Sequence, residues 1–325
     1  MNPDRILSRF PELSALVIGD ICLDRWCTYD PALSEPSRET GIPRVAVVST
    51  AVTPGAGGTV ANNLVSLKAG KVNVLGIVGT DGHGTELKAA LDERGIGSEL
   101  MVTAPGVPTF TYTKLLNCAT GQEDLPRLDF VYERPLPVEV ERQVLAKIEA
   151  SVGQFDVILV SDQAETARGG VVTPAVRDLL SKLAECHKQK VFWVDSRERP
   201  EHFRGLIVKP NEREAESACQ RLFGTADLPR LREHVQAPAM FVTLGPGGVQ
   251  VISGGASELV PARPIEQPVD ICGAGDSFSA AAALAMAITE SPLAAARFGN
   301  AAASVTIMKK GTATASPEEL MEALA

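Results

Sequence analysis

Short apolar runs recur along the chain, separated by stretches with helical periodicity. Residues 15–19, 72–78, 156–160, 191–194, 206–208 and 240–244 each read as a buried strand. Between them, residues 59–69, 85–94, 138–151, 173–189 and 212–223 are amphipathic or alanine-rich and read as helices. Thr173-Pro174 and Ser291-Pro292 place a capping hydroxyl before a proline at the first helical position. Ser316-Pro317-Glu318-Glu319 adds an acidic capping box to the same arrangement. Strand and helix alternating in this way predict a mainly parallel sheet covered on both faces. Two stretches, 25–53 and 106–136, break the pattern and hold only short β-type runs such as 44–48 and 109–115. They are expected to leave the core and pair as a small β-sheet lid. With no repeat, low-complexity tract or linker in between, residues 1–325 read as a single domain.

Composition narrows the class. The chain has 325 residues, 45% hydrophobic and 22% charged, with 28 glycines and 22 prolines, which suits an ordered α/β domain rich in tight turns. The most apolar helix candidate, 278–288, has about half of the ~20 residues a membrane span needs, so no membrane insertion is expected. Asp4, Arg5, Arg9 and Glu12 interrupt any apolar leader at the start, so the expected location is cytoplasmic. A formal charge of -9 argues against nucleic acid as a partner. The six cysteines show no C-x-x-C spacing and the four histidines no ligand spacing. Buried reduced thiols are expected, rather than zinc or disulfides.

Candidate chemistry gathers at Asp270-Ile271-Cys272-Gly273-Ala274-Gly275-Asp276, which runs into an alanine-rich helix. Two glycines flanking an alanine allow amide hydrogens to converge ahead of the helix, a nest suited to phosphate or growing negative charge. Asp276 could there accept a proton from a hydroxyl attacking phosphorus. It could equally be an ordinary N-cap. Motifs that would point elsewhere are missing: the chain has no P-loop, no Gly-x-Gly-x-x-Gly after the first strand and no Gly-x-Ser-x-Gly elbow.

Asp270-x-x-Gly273-Ala274-Gly275-Asp276 resembles the C-terminal signature of the ribokinase-like (PfkB) carbohydrate kinases. Gly19-Asp20 through Asp24 is similar to that family's opening strand, and Pro54 through Asn63 to its glycine motif. Lys209-Pro210-Asn211-x-x-Glu214, the Thr243-Leu244-Gly245-Pro246-Gly247-Gly248 turn and residues 298–303 match its nucleotide side. Within the family the chain most resembles the heptose 7-phosphate kinases. The shared segments are Leu23-Asp24-Arg25-Trp26, Ser37-Arg38-Glu39, the 108–114 block, Arg127-Leu128-Asp129-Phe130, Ser161-Asp162 and the 310–320 end.

The resemblance implies a three-layer ribokinase-like sandwich with a β-sheet lid and ATP-dependent phosphorylation of a sugar hydroxyl. It implies Asp276 as base, with the amides of Gly273, Ala274 and Gly275 as the anion site. Asp20 and Asp24 are implied to hold sugar hydroxyls, together with Gly57, Gly58 and Thr59, or with Asn62 or Asn63. Which of these holds depends on the register of the usual Gly-Gly-x-x-Asn, because Thr59 stands at the asparagine if Gly55-Ala56 is the glycine pair. Lys114 and Arg127 would clasp a sugar phosphate or be plain surface residues. Asp162 would face the cleft or cap a turn. On the nucleotide side the implied residues are Asn211, Glu214, Thr243, Gly245, Gly248 and Asn300. Glu214 would meet Mg2+ through water, and Asp270 would sit by a monovalent cation such as K+. A heptose 7-phosphate is the expected acceptor, with an unphosphorylated sugar or nucleoside, or a non-catalytic sugar-binding regulator, as the rivals. A homodimer through the lid is also implied.

Overall fold

The computed structural model describes residues 2–165 and 170–325. After a short helix α1 (Pro3–Leu7), the chain enters the core as β1 (Ser14–Gly19), leaves it as β2 (Ile21–Tyr29) and returns along β3 (Val47–Ala56). Helix α2 (Gly57–Ser66), β4 (Lys71–Leu75), the short β5 (Ile77–Val78), α3 (Gly82–Glu93) and β6 (Val102–Thr103) follow. A second excursion forms β7 (Thr111–Asn117) and β8 (Leu128–Phe130). The core resumes with α4 (Val138–Ser151), β9 (Val157–Asp162), α5 (Pro174–Cys186), β10 (Val191–Ser196), β11 (Ile207–Val208), α6 (Glu212–Phe223), α7 (Leu228–His234) and β12 (Ala239–Thr243). A hairpin, β13 (Val249–Ser253) and β14 (Ala256–Val260), precedes α8 (Ala274–Thr289), α9 (Pro292–Thr306) and α10 (Pro317–Leu324).

Eight strands form the central sheet in the order β14-β13-β12-β11-β10-β9-β1-β4. From β12 to β4 neighbours run parallel, and β13 and β14 add an antiparallel edge. Period-two side-chain alternation sorts the apolar runs onto two faces. Ala15, Val17, Val157, Leu159, Trp193, Ile207 and Phe241 pack with α2, α8, α9 and α10 on one side. Leu16, Ile18, Ile158, Val160, Phe192, Val194, Val208 and Met240 pack with α4, α5, α6 and α7 on the other. Both faces being covered explains why these strands read as unbroken apolar runs. Among the described residues no helix is long and apolar enough to cross a membrane.

The lid is a separate four-stranded sheet in the order β3-β2-β7-β8, antiparallel at its two outer pairs and parallel between β2 and β7. It begins earlier than the expected boundary at residue 25, because Ile21–Leu23 already belong to it. The passage from core to lid turns at Gly19, whose φ is 133° and where a Cβ would fall 2.1 Å from the Ser161 carbonyl oxygen, so only glycine fits. The expected strand at 72–78 is divided into β4 and β5 at Gly76. Helix α3 starts a turn before the expected residue 85, since Asp81 accepts a hydrogen bond from the Gly84 amide and caps it. All six cysteines are free, but only Cys22, Cys27 and Cys219 are buried; Cys118, Cys186 and Cys272 are exposed, contrary to expectation.

Candidate active site

In the order of the central sheet, the chain runs from β1 to β4 on one side and to β9 on the other, which makes a switch point between β1 and β9. Ligands of open α/β sheets sit beyond the carboxyl ends of the strands at such a point. A cavity of about 200 Å³ lies there, between lid and core. Asp24, Trp26, Tyr112, Lys114 and Arg127 line it from the lid, and Thr59, Gln163, Glu165, Arg197, Gly273, Asp276 and Thr312 from the core.

Asp276 occupies the first turn of α8, where the earliest amides have no intrahelical acceptor. Gly273 caps that helix in the left-handed conformation, φ 79°. Of the three amides expected to form an anion site, that of Ala274 donates to the Ile271 carbonyl at 3.3 Å, a long and weak bond. Burial is the main reason the Asp276 carboxyl titrates at about 7; the Asp195 charge adds to it, and Lys209 and Arg197 oppose it. Behind the glycine turn, Lys209 is buried and paired with Asp195 at 2.8 Å, and its ammonium lies 3.3 Å from where a Cβ on Gly275 would stand.

Across the cavity, Asp24 is raised to about 6, chiefly by burial, while Lys114 and Arg127 pull it back. Its carboxylate approaches the backbone of β3 so closely that a Cβ on Gly55 would lie 2.6 Å from it. Thr59 is buried at the cavity wall, its hydroxyl 3.4 Å from the Pro54 carbonyl. Asn63 donates back to the Thr59 carbonyl inside α2, and neither it nor Asn62 lines the cavity. Gly57 and Gly58 pack against Ile21 and Pro54 rather than facing it. Of these residues, Thr59 lines the cavity and Gly55 lies against the Asp24 carboxylate. Ala56 has φ 50° and ψ -120°, a strained conformation for a residue with a side chain. Lys114 faces Glu123 at 3.9 Å, and Arg127 makes a bidentate pair with Asp129 while stacking 5.0 Å over Tyr112.

Two expected sugar ligands are placed elsewhere. Asp20 is buried and accepts the backbone amides of Gln163, Ala164 and Val171 at 2.8–2.9 Å, so its carboxylate anchors a loop and does not line the cavity. Asp162 is buried too, accepting from Arg199 at 2.9 Å and from the Ser196 hydroxyl at 2.7 Å. Asn300 gives its amide hydrogens to the Val260 and Pro261 carbonyls and ties α9 to the chain beyond β14. The Asp270 carboxylate receives the Cys272 and Gly311 amides, joining the two loops below α8.

Asn211 and Glu214 form a reciprocal capping box at the start of α6, each side chain bonded to the other's amide at 2.8–2.9 Å. Glu214 is raised to about 7, by burial first and then by Asp195. Thr243 is bridged to Asn211 through the backbone, and Gly245–Gly247 forms the turn that follows, ending at Gly248. No cluster of three His, Cys, Asp or Glu side chains among the described residues could hold a metal directly. The crowded acidic charge of Glu214, Asp195 and Asp276 suits a hydrated oxygen-seeking dication beside phosphates. Among the residues lining the cavity, Arg197, Glu165 and Gln163 escaped the sequence reading. The charged run Asp195-Ser196-Arg197-Glu198-Arg199 at the end of an apolar strand was the available signal for Arg197.

The sequence pattern described as pfkB family carbohydrate kinase matches residues 14–319. A bifunctional protein HldE from Pelobacter propionicus is 30% identical over 332 residues, covering 99% of this chain and 65% of that protein. One from Caulobacter sp. is 31% identical, covering 96% and 63%. The chain thus spans just under two thirds of the length of these curated relatives. Phosphofructokinase-2 from Escherichia coli, solved in complex with potassium, superposes with a TM-score of 0.71 at 19% identity, covering 96% of this chain and 98% of the other. A ribokinase from Thermotoga maritima gives 0.66 at 20%, covering 96% and 99%.

Proposed function

Given that the chain belongs to the pfkB family of carbohydrate kinases, phosphotransferases with alcohol acceptors, we propose that it transfers the γ-phosphoryl group of ATP to a sugar already carrying a phosphate, a heptose 7-phosphate. The observation that carries this reading is that one cavity brings the carboxylates of Asp276 and Asp24 together with the lid cations Lys114 and Arg127. Resemblance to the HldE proteins supports the heptose.

In this reading Asp276 takes the acceptor's hydroxyl proton as the oxygen attacks phosphorus, for which a carboxyl titrating at about 7 is well matched. The free amides at the start of α8 receive the charge growing on the transferred group. Asp24 holds sugar hydroxyls, and Lys114 and Arg127 bind the phosphate the acceptor brings, exchanging Glu123 and Asp129 for it. Thr59 offers the sugar one hydroxyl where relatives are expected to offer an amide. Magnesium, when bound, neutralises phosphate charge; Glu214 would hold it through water, with Asp195 near. A potassium ion near Asp270 is part of the proposal, through carbonyl oxygens, since both carboxylate oxygens of Asp270 are engaged.

Lid closure would exclude water and limit ATP hydrolysis. Val47 and Val48 on the outer strand of the lid, with Ile42 and Val45 before it, are exposed; pairing of two lids would cover them and give a homodimer. A reaction consuming ATP and a sugar phosphate belongs to the cytoplasm.

An ADP-release assay over heptose 7-phosphate, hexose phosphates, free sugars and nucleosides tests the substrate. The phosphorylated heptose is expected to give the highest kcat/KM. A free sugar or nucleoside exceeding it would replace this reading, and saturable binding without ADP release for every acceptor would leave a binding protein.

A further inference from the structure

A third cation faces the cavity, from the core and not from the lid. Arg197 follows Asp195 at the carboxyl end of β10, on the wall that carries Asp276 and Gly273 and opposite Lys114 and Arg127. Its neighbour Asp195 holds Lys209, whose ammonium sits under the Gly275 backbone. Arg197 thus lines the same cavity as Gly273 and Asp276, where the attacking oxygen and the terminal phosphorus must meet if Asp276 is the base. Its charge reaches the carboxylates at both ends of that path, lowering Asp276 on one side and Glu214 on the other.

Its present partner is replaceable. The Arg197 guanidinium donates to Glu165, and both side chains are about half exposed or more, at 50% and 63%. An ion pair so open to water holds weakly, and a phosphoryl group offers the same guanidinium a more highly charged acceptor with bidentate geometry. Glu165 also lines the cavity, on the loop that Asp20 anchors through the Gln163 and Ala164 amides. The guanidinium can therefore change partner without leaving the site.

We propose that Arg197 is a catalytic residue that binds the phosphoryl group in transfer, and that Glu165 holds its guanidinium until nucleotide arrives. Lys114 and Arg127 serve the acceptor end; Arg197 serves the phosphorus. This rests on the phosphotransferase reading but not on the identity of the sugar. Charge spread over the equatorial oxygens of the transferring group is what such a cation stabilises.

The test uses Arg197→Gln, Arg197→Lys and Glu165→Gln in the full chain, with magnesium. Calorimetry measures ADP alone and ADP with aluminium fluoride, a mimic of the transferring group that needs no acceptor. Arg197→Gln is expected to keep ADP affinity within about threefold while weakening the fluoride complex at least about tenfold. With an acceptor that turns over, Arg197→Gln should lower kcat by about 10²–10³-fold with little change in acceptor KM. Arg197→Lys should recover part of the loss, and Glu165→Gln, which releases the guanidinium beforehand, should lower the KM for ATP. Equal fluoride binding by wild type and Arg197→Gln would overturn the proposal. So would a raised acceptor KM at unchanged kcat, which would move Arg197 to the acceptor's own phosphate. A loss in Glu165→Gln as deep as that in Arg197→Gln would refute the exchange of partners. Failure to find an acceptor leaves the fluoride measurement standing, so the two readings fail separately.

Discussion

Replacing Asp276 with asparagine should stabilise the resting protein, and do so increasingly as pH rises. The carboxyl is lifted from an ordinary 3.8 to about 7 in the folded chain, mainly by burial. A group whose folded pKa lies above its unfolded one makes the native state bind more protons across that interval, so stability falls as pH rises through it. The burden is absent below about pH 3.8, grows to about pH 7 and is constant above. Roughly three units at 1.36 kcal/mol each set a ceiling of about 4 kcal/mol. Asp195, Lys209 and Arg197 share the field and readjust when one charge is removed, so about 2 kcal/mol is the working figure. At about 2.1 cal/mol/K per residue, this chain would melt about 3 °C higher for that gain. Thermal melts of wild type and Asp276→Asn at pH 4.5, 6, 7 and 8, monitored by circular dichroism, supply the comparison. The difference in Tm should widen up to pH 7 and then level off. A difference that stays flat, or narrows with pH, would show that the carboxylate carries no such burden and would remove the basis for its tuned basicity.

Other substitutions probe neighbouring parts of the site. Ala56→Gly relieves a side chain held at φ 50°, and should raise stability by about 1 kcal/mol in a denaturant titration. Gly55→Ala places a methyl group 2.6 Å from the Asp24 carboxylate, so acceptor KM should rise by about tenfold or more while ADP affinity is unchanged. Gly299→Ala sets a Cβ 2.6 Å from the Phe278 ring, where α9 crosses α8, and should cost about 1–3 kcal/mol in the same titration. In the free enzyme kcat/KM should fall about tenfold per pH unit below the Asp276 pKa of about 7, since the base must be ionised to accept the proton.

The central layer was legible because burial on both faces writes itself as uninterrupted apolar runs, as in Val157–Asp162 and Val191–Ser196. The lid was visible as a break in periodicity with short β-type runs inside it. Its first strand opens with Ile21, Cys22 and Leu23, all buried, which no composition rule separates from a core strand. The β13–β14 edge went unseen, because half of it faces solvent and its polar positions blur the pattern. At the site, Asp276 could be found because two glycines and a helix start frame it. Acidic residues in or beside strands are harder. Asp20, Asp24 and Asp162 look alike in sequence, yet only Asp24 faces the cavity, the others being held by backbone amides and by Arg199. Asn211 and Glu214 stood out only through the family's Asn-x-x-Glu, because the capping box they form would arise at many helix starts. Arg197 was hidden for the opposite reason, since which of five consecutive charged or polar residues turns toward a ligand is decided by tertiary packing.

Proton transfer itself is reached by a single-turnover experiment with Asp276→Asn, ATP, magnesium and the acceptor that the ADP-release panel identifies, with binding of both substrates measured in parallel. Affinities for ATP and acceptor should stay within about threefold, while the rate of phosphoryl transfer drops by about 10³-fold or more. A transfer rate near that of the unaltered enzyme, with both substrates bound, would mean that another group receives the proton.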